Sequence, residues 1–177
     1  LDKKIKSISF LVFLMFDHIG GINTMLNILS MNSKLVIPLN RDPDKICKLI
    51  EKNKINILPA SPTFLNLILI SKSHIKYDLS SLIMITYGTE PMSENLLIEL
   101  RKAFPRVRFL QTFGTSETGI IKSISKSSSS TLMKFVDPNQ KCKIVDGELF
   151  LKSKTQILGY INYNKNSFTN DGWFKTG

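Results

Sequence analysis

The sequence predicts an α/β fold: a layered parallel sheet with crossover helices, followed by part of a β-rich, distorted barrel-like subdomain. Three observations carry this. Short apolar runs rich in Ile, Leu, Val and Phe alternate with helical patterns from residue 7 to about 113, which implies parallel strands joined by crossovers and a sheet covered on both faces. Two helical patterns open on a capping residue followed by proline, Asp42-Pro43 and Ser61-Pro62, the residues a helix start favours. Beyond Gly119 the helical patterns stop, and Asp146-Gly147 joins two strand-like runs.

Each element follows from its local pattern. Ser7 to Phe16 is apolar and strand-like, and Asp17-His18-Ile19-Gly20-Gly21 leaves it as a loop. Ile22, Met25, Leu26 and Leu29 recur at helical spacing and predict a helix over 22–30 with that face in the core. Lys34 to Pro38 reads as a strand. The helix begun by Asp42-Pro43 places Ile46, Leu49 and Ile50 on one side. Ile55 to Leu58 is the next strand, and Phe64 to Ile70 the next helix. Leu82 to Thr86, Ser93 to Phe104 and Arg108 to Phe113 read as strand, helix and strand. The Lys-Ser-rich stretch 126–131 reads as a mobile loop. Lys141–Val145 and Glu148–Lys152 form a predicted hairpin around Asp146-Gly147. Residues 157–177 read as irregular β structure. A subdomain boundary is expected near residue 122, giving 1–122 and 123–177.

Composition narrows the function classes. The chain has 177 residues, of which 42% are apolar and 21% charged, an ordinary globular balance. The longest apolar run, Phe10 to Phe16, is far too short for a transmembrane helix. A net charge of +10 suggests an anionic partner. The lysines are scattered, however, and the phenylalanines sit in apolar runs instead of among basic residues, which argues against nucleic acid. Cys47 and Cys142 lie far apart without metal-ligand spacing and read as reduced thiols of a cytoplasmic protein. Neither end reads as a finished terminus. The chain is therefore read as a fragment, whose sheet is expected to expose an apolar edge or face.

Three glycine-bearing loops follow strands and would open on one edge of the sheet: 17–21, 87–91 and 113–119. Ligands of open α/β sheets sit outside the carboxyl ends of strands. The third loop, within Gln111-Thr112-Phe113-Gly114-Thr115-Ser116-Glu117-Thr118-Gly119, holds nothing that builds a core. Its glycines let backbone N–H groups approach an anion. Its hydroxyls can donate to phosphate, Glu117 can hold a Mg²⁺, and Phe113 offers a flat ring. These parts suit a purine nucleotide; they equally suit a polar turn leaving a strand. His18 reads either as a polar loop residue or as part of a site. His74 reads as a surface residue.

Residues 113–119 resemble the Tyr-Gly-x-Thr-Glu motif of the adenylate-forming superfamily, which includes acyl-CoA synthetases, fatty acyl-AMP ligases and peptide-synthetase adenylation domains. Further stretches match in order. Phe16-Asp17-His18-Ile19-Gly20-Gly21 resembles the acid-binding segment. Tyr87-Gly88-Thr89-Glu90-Pro91-Met92 resembles the Gly-Gly-Ala-x-Pro-Leu strand end beside the adenine. Gly147-Glu148-Leu149 and Asp171-Gly172-Trp173-Phe174-Lys175-Thr176-Gly177 resemble two later motifs.

The resemblance implies a role for each matched residue. Phe113 would stack on adenine, with Gly88, Thr89, Glu90, Thr112, Gly114 and Thr115 around the nucleotide. Ser116 would bind the adenylate phosphate, and Glu117 would hold Mg²⁺; these two are the implied catalytic pair. His18, Gly20 and Gly21 would border the acid. It implies a two-step reaction: a carboxylate and ATP give an acyl-adenylate, which CoA or a carrier-protein pantetheine then takes as a thioester. A fatty or other organic acid is the expected substrate. The alternatives are an amino-acid-activating domain, suggested by Asp17, and a non-catalytic remnant or nucleotide-binding module. The family's phosphate loop would precede residue 1, and its ribose-binding Asp and catalytic lysine would follow Gly177, so the chain is expected to be inactive alone.

Overall fold

The computed structural model describes residues 8–162 and 167–177. Five strands pair in parallel: β1 (Ser9–Leu11), β2 (Lys34–Val36), β3 (Ile57–Ala60), β4 (Met84–Tyr87) and β5 (Arg108–Gln111), in the order β2-β1-β3-β4-β5. The helices α1 (Ile19–Ser30), α2 (Pro43–Asn53), α3 (Pro62–Ile70), α4 (Ser73–Lys76) and α5 (Glu94–Ala103) cross between them. The chain first moves outward from β1 to β2, then back across to β3. The direction of winding therefore changes between β1 and β3, which opens a crevice at their carboxyl ends.

The two faces of the sheet are covered unequally. Ile46, Ile50, Leu65, Ile68, Leu97 and Leu100, from α2, α3 and α5, bury one face against Leu11, Leu58, Ile85 and Phe109. On the other face α1 contributes Ile28 to a smaller cluster with Phe10, Val12 and Ile57. The capping residues act as expected. The Asp42 carboxylate accepts from the N–H groups of Asp44 and Lys45, and Ser61 Oγ accepts from Phe64 N–H.

Two expectations are corrected on this side. The apolar run beginning at Ser7, a residue outside the described range, pairs as a strand only over Ser9–Leu11. The Val12 N–H still reaches Val36 O, but Phe13 N–H turns back to Leu11 O, so Phe13 to Phe16 leave the sheet. The helix then begins at Ile19 instead of Ile22. His18 caps it by accepting from Gly20 N–H at 2.9 Å, a bond that outweighs the poor helix propensity of two glycines. Its buried face also differs. Ile28 is fully buried, whereas Ile22, Leu26 and Leu29 are 37%, 56% and 67% exposed. An apolar stripe of α1 therefore faces solvent, where the sequence places it in the core.

After β5 the pairing becomes antiparallel. The stretch expected to continue as strand and loop forms a hairpin, β6 (Phe113–Thr115) with β7 (Gly119–Ile121), around the three-residue turn 116–118. Gly119 has φ +80°, the left-handed position such turns require. A second hairpin pairs β8 (Ser123–Ser125) with β9 (Met133–Phe135), and residues 126–132 connect them. β10 (Gln140–Val145) and β11 (Glu148–Ser153) form the expected hairpin, with Asp146 and Gly147 at φ +51° and +84°. β12 (Phe174–Lys175) adds to β11. Ile121, Leu151 and Phe174 form the core of this part.

Both cysteines are free thiols, Cys47 buried in α2 and Cys142 exposed on β10. Burial pushes the Cys47 thiol up to about 12, helped by Asp44 and Asp42. It is therefore a packing group, because only a thiolate is nucleophilic. Iodoacetamide at pH 8 should add one carbamidomethyl group to the native protein, on Cys142, and two in denaturant. Rapid native labelling of Cys47, read by peptide mass, would contradict this packing.

Candidate functional site

A cavity of about 160 Å³ opens at the carboxyl ends of β3, β4 and β5, beside the point where the winding reverses. Its walls come from all three glycine-bearing loops: His18 and Gly20 from the first, Gly88 and Thr89 from the second, and Phe113 and Gly114, with Thr112, from the third. The turn of winding thus brings together segments almost a hundred residues apart. Leu14, Pro59, Ala60, Thr86 and Ile120 complete the lining. None of these was singled out from the sequence, although all except Ile120 lie on predicted strands or just past them. A larger groove of about 800 Å³ lies between α3, α4 and α5 and contains none of the loop residues.

His18 is held by its own cap. Nδ1 accepts the Gly20 N–H, so the neutral ring carries its proton on Nε2. The imidazole can then donate to an anionic or carbonyl oxygen at the cavity mouth. Gly21 does not line the cavity. It is buried in the first turn of α1, where a Cβ would lie 2.0 Å from Met15 O. Its role in the structure is to let the preceding loop pack on the helix.

The second loop is held against the third. Thr112 donates twice to Tyr87 O, from N–H at 2.8 Å and from Oγ1 at 3.1 Å. Gly88 sits so close to this junction that a Cβ would be 2.6 Å from Thr112 O. Thr89 has φ +72°, a conformation costing a branched residue about 1–2 kcal/mol. Glycine would remove that strain but loosen the unfolded chain by about 0.4–1 kcal/mol. Thr89→Gly should therefore stabilise by about 0.5 kcal/mol net, read from the urea midpoint; clear destabilisation would mean that the threonine side chain packs usefully. The Glu90 carboxylate turns away from the cavity lining. It accepts from Thr63 N–H and Thr63 Oγ1, both at 2.8 Å, at the start of α3. These bonds stabilise the ionised form and hold its pKa below the usual carboxylate range.

In the third loop Phe113 lines the cavity, with its ring 5.4 Å from that of Phe135. The turn itself is internally bonded. Thr115 Oγ1 accepts from Thr118 N–H at 3.1 Å and lies 2.9 Å from the Thr118 hydroxyl. Thr115 thus serves the turn, while Ser116 is exposed. Glu117 is half-buried; its Oε1 accepts from the Tyr160 hydroxyl at 2.9 Å, and its backbone carbonyl accepts from Ile157 N–H at 2.8 Å. Tyr160 was not foreseen, because nothing in its neighbourhood in the sequence points 43 residues back.

Among the described residues no three His, Cys, Asp or Glu side chains converge as an all-protein metal centre. Ser116 and Glu117 are not among the residues lining the cavity; they lie on the β6–β7 turn that follows Phe113 and Gly114. A single carboxylate there suits a cation that keeps most of its shell from phosphate and water, which is the habit of Mg²⁺. The donor set fits that ion bound together with a nucleotide.

The family model for AMP-binding enzymes matches residues 4–161. The chain belongs to that family. A 4-coumarate–CoA ligase-like protein of Arabidopsis thaliana is 27% identical over 179 residues, covering 90% of this chain and 32% of its own length. A 4-coumarate:CoA ligase of Petunia hybrida is 28% identical over 185 residues, again covering 90% of this chain and 34% of its own. The chain thus spans about a third of these curated relatives. The luciferase-like enzyme from the nonluminescent mealworm Zophobas morio superposes with a TM-score of 0.80 at 25% identity, covering 96% of this chain and 45% of that one. The α/β part of the AMP-binding chain and the antiparallel sheets that follow it thus share the fold of that neighbour over 96% of this chain. No helix among the described residues is long and apolar enough to cross a membrane.

Proposed function

We propose that this chain forms the nucleotide- and acid-facing wall of an ATP-dependent acid–CoA ligase. The observation that carries this reading is the convergence of His18, Gly88, Thr89, Thr112, Phe113 and Gly114 on one cavity at the sheet's switch point, in a chain that matches the AMP-binding family. In the first step a carboxylate oxygen of the acid bonds to the α-phosphorus of ATP, and the bond to the β-phosphate breaks, releasing pyrophosphate. In the second, a thiol sulfur, from CoA or a carrier-protein pantetheine, bonds to the acyl carbon, and AMP leaves.

This chemistry needs no protein nucleophile. Two anions must meet, so positioning and charge neutralisation supply the rate. Phe113 provides a ring for the adenine, itself braced by the Phe135 ring 5.4 Å away. The exposed Ser116 hydroxyl is available to the α-phosphate. Bound Mg²⁺ would neutralise phosphate charge, with Glu117 as its protein ligand. His18 Nε2–H would donate to the carboxylate end of the acid, and Gly20 leaves room beside it. Thr115, Gly21 and Glu90 support these groups from behind, through the turn, the helix packing and the α3 terminus.

The space beneath supports a reading of the acid's size. A second cavity of about 170 Å³ shares Leu14, Gly20, Pro59, Thr86, Thr112 and Ile120 with the first and runs down between α1 and the sheet. Asn23, Thr24 and Asn27 line it opposite Phe10 and Ile57. This volume and these amides favour a compact organic acid with a polar end over a long fatty chain. Pyrophosphate exchange by the complete protein across compact aromatic, short aliphatic, long fatty and amino acids tests the reading. Exchange with compact acids supports it; exchange with amino acids alone would move it to the peptide-synthetase type; exchange with none would overturn it.

A further inference from the structure

Glu117 is gripped from a distant segment of the chain. Residues 155–160 follow β11 and return to the turn of the β6–β7 hairpin. There the Ile157 N–H takes the Glu117 carbonyl at 2.8 Å, and the Tyr160 hydroxyl takes Oε1 at 2.9 Å. The same turn is braced on its other side, where Gln140 Nε2 donates to Thr118 O at 3.2 Å and to Ile120 O at 3.3 Å. Thr118 is fully buried within it. The backbone of the turn is thereby anchored without Tyr160. What the phenol adds is control of the carboxylate itself, at the end of a side chain with three rotatable bonds.

We propose that Tyr160 is a positioning residue for Glu117: it selects the carboxylate orientation that receives the nucleotide-bound cation, and it ties that orientation to the antiparallel part of the chain. The inference rests on the ligase reading above. A phenol is neutral, so it neither neutralises the carboxylate nor competes for a cation. It occupies one of about four lone-pair sites on the two oxygens, leaving the others to the metal. A hydrogen bond from a neutral donor to an ionised acceptor is among the stronger ones a side chain makes.

The test uses the complete protein with Mn²⁺ as a spectroscopic stand-in for Mg²⁺. Free Mn²⁺ is measured by electron paramagnetic resonance in the presence of a non-hydrolysable ATP analogue. Tyr160→Phe should weaken Mn²⁺ binding about tenfold, the range of one hydrogen bond to a charged group, with an unchanged melting temperature. In a Glu117→Gln background the same substitution should change Mn²⁺ binding no further, because the two residues act as a unit. Equal Mn²⁺ affinity in wild type and Tyr160→Phe would overturn the positioning role while leaving the ligase reading intact. Tighter binding in Tyr160→Phe would also overturn it, showing that the phenol withholds the carboxylate. An equal further loss in the Glu117→Gln background would show a purely structural effect. Metal-independent analogue binding by the wild type would overturn both this inference and the metal role on which it rests.

Discussion

Replacing Glu117 with glutamine should lower acid-dependent pyrophosphate exchange by about a hundredfold or more, in the range seen when a preorganised electrostatic group is removed from a reacting centre. The substitution is nearly isosteric. Glutamine keeps a carbonyl oxygen that can accept from Tyr160, and the backbone bond to Ile157 is untouched. The hairpin should therefore stay folded, with a melting temperature close to that of the wild type. What disappears is the negative charge that a hard divalent cation seeks. The loss should be partly recovered at high Mg²⁺, since weaker coordination is offset by concentration. Unchanged exchange at low Mg²⁺ would remove Glu117 from the metal's coordination and leave it a structural partner of Tyr160.

Much of this architecture is legible because local chemistry and tertiary position agree. Asp42-Pro43 and Ser61-Pro62 start helices on one side of the sheet, where Ile46, Ile50, Leu65 and Ile68 find a continuous apolar surface. Asp146-Gly147 can adopt two consecutive left-handed conformations and so closes a two-residue hairpin. The elements misjudged are those where a contact from elsewhere decides. Ile22, Leu26 and Leu29 form as good a helical stripe as any in the chain. Yet the face of α1 that meets the sheet is the smaller one, carrying Gly20, Thr24 and Ile28. Periodicity names a stripe but not what will stand against it. Likewise Phe13 and Leu14 look like strand, but the chain leaves the sheet where Phe13 N–H turns back to Leu11 O and the distant Arg41 Nε–H takes Phe13 O.

The candidate site divides in the same way. Loops after strands are visible in a sequence, so His18, Gly20, Gly88, Thr89, Thr112, Phe113 and Gly114 could be named, and all seven line the cavity. Whether a loop residue faces the ligand or the scaffold is set by hydrogen bonds that the sequence does not order. Glu90 reaches Thr63, 27 residues away, and Thr115 reaches Thr118. Tyr160 comes to Glu117 by a return path through β10 and β11 that no local pattern encodes.

Gly88→Ala should be the most damaging single-methyl change in the cavity wall. The added Cβ would stand 2.6 Å from Thr112 O and 2.7 Å from Thr112 Oγ1. The side-chain hydroxyl can rotate away, but the carbonyl belongs to the strand end and can move only with it. Thr112 is fastened to Tyr87 O by two hydrogen bonds, so relief must come from parting β4 and β5 where they enter the site. Overpacking of this kind costs about 1–3 kcal/mol, or a fall in melting temperature of about 2–12 °C for a chain of this size. The functional loss should exceed that figure. Phe113 and Gly114 follow Thr112 directly, and a displacement of about 1 Å at a reacting centre can cost a hundredfold in rate. The expected signature is thus a protein that still melts cooperatively but has lost most of its exchange activity and its nucleotide affinity. If Gly88→Ala instead lost stability and kept both, the β4–β5 junction would be scaffold alone, and the nucleotide would have to be placed elsewhere along the cavity.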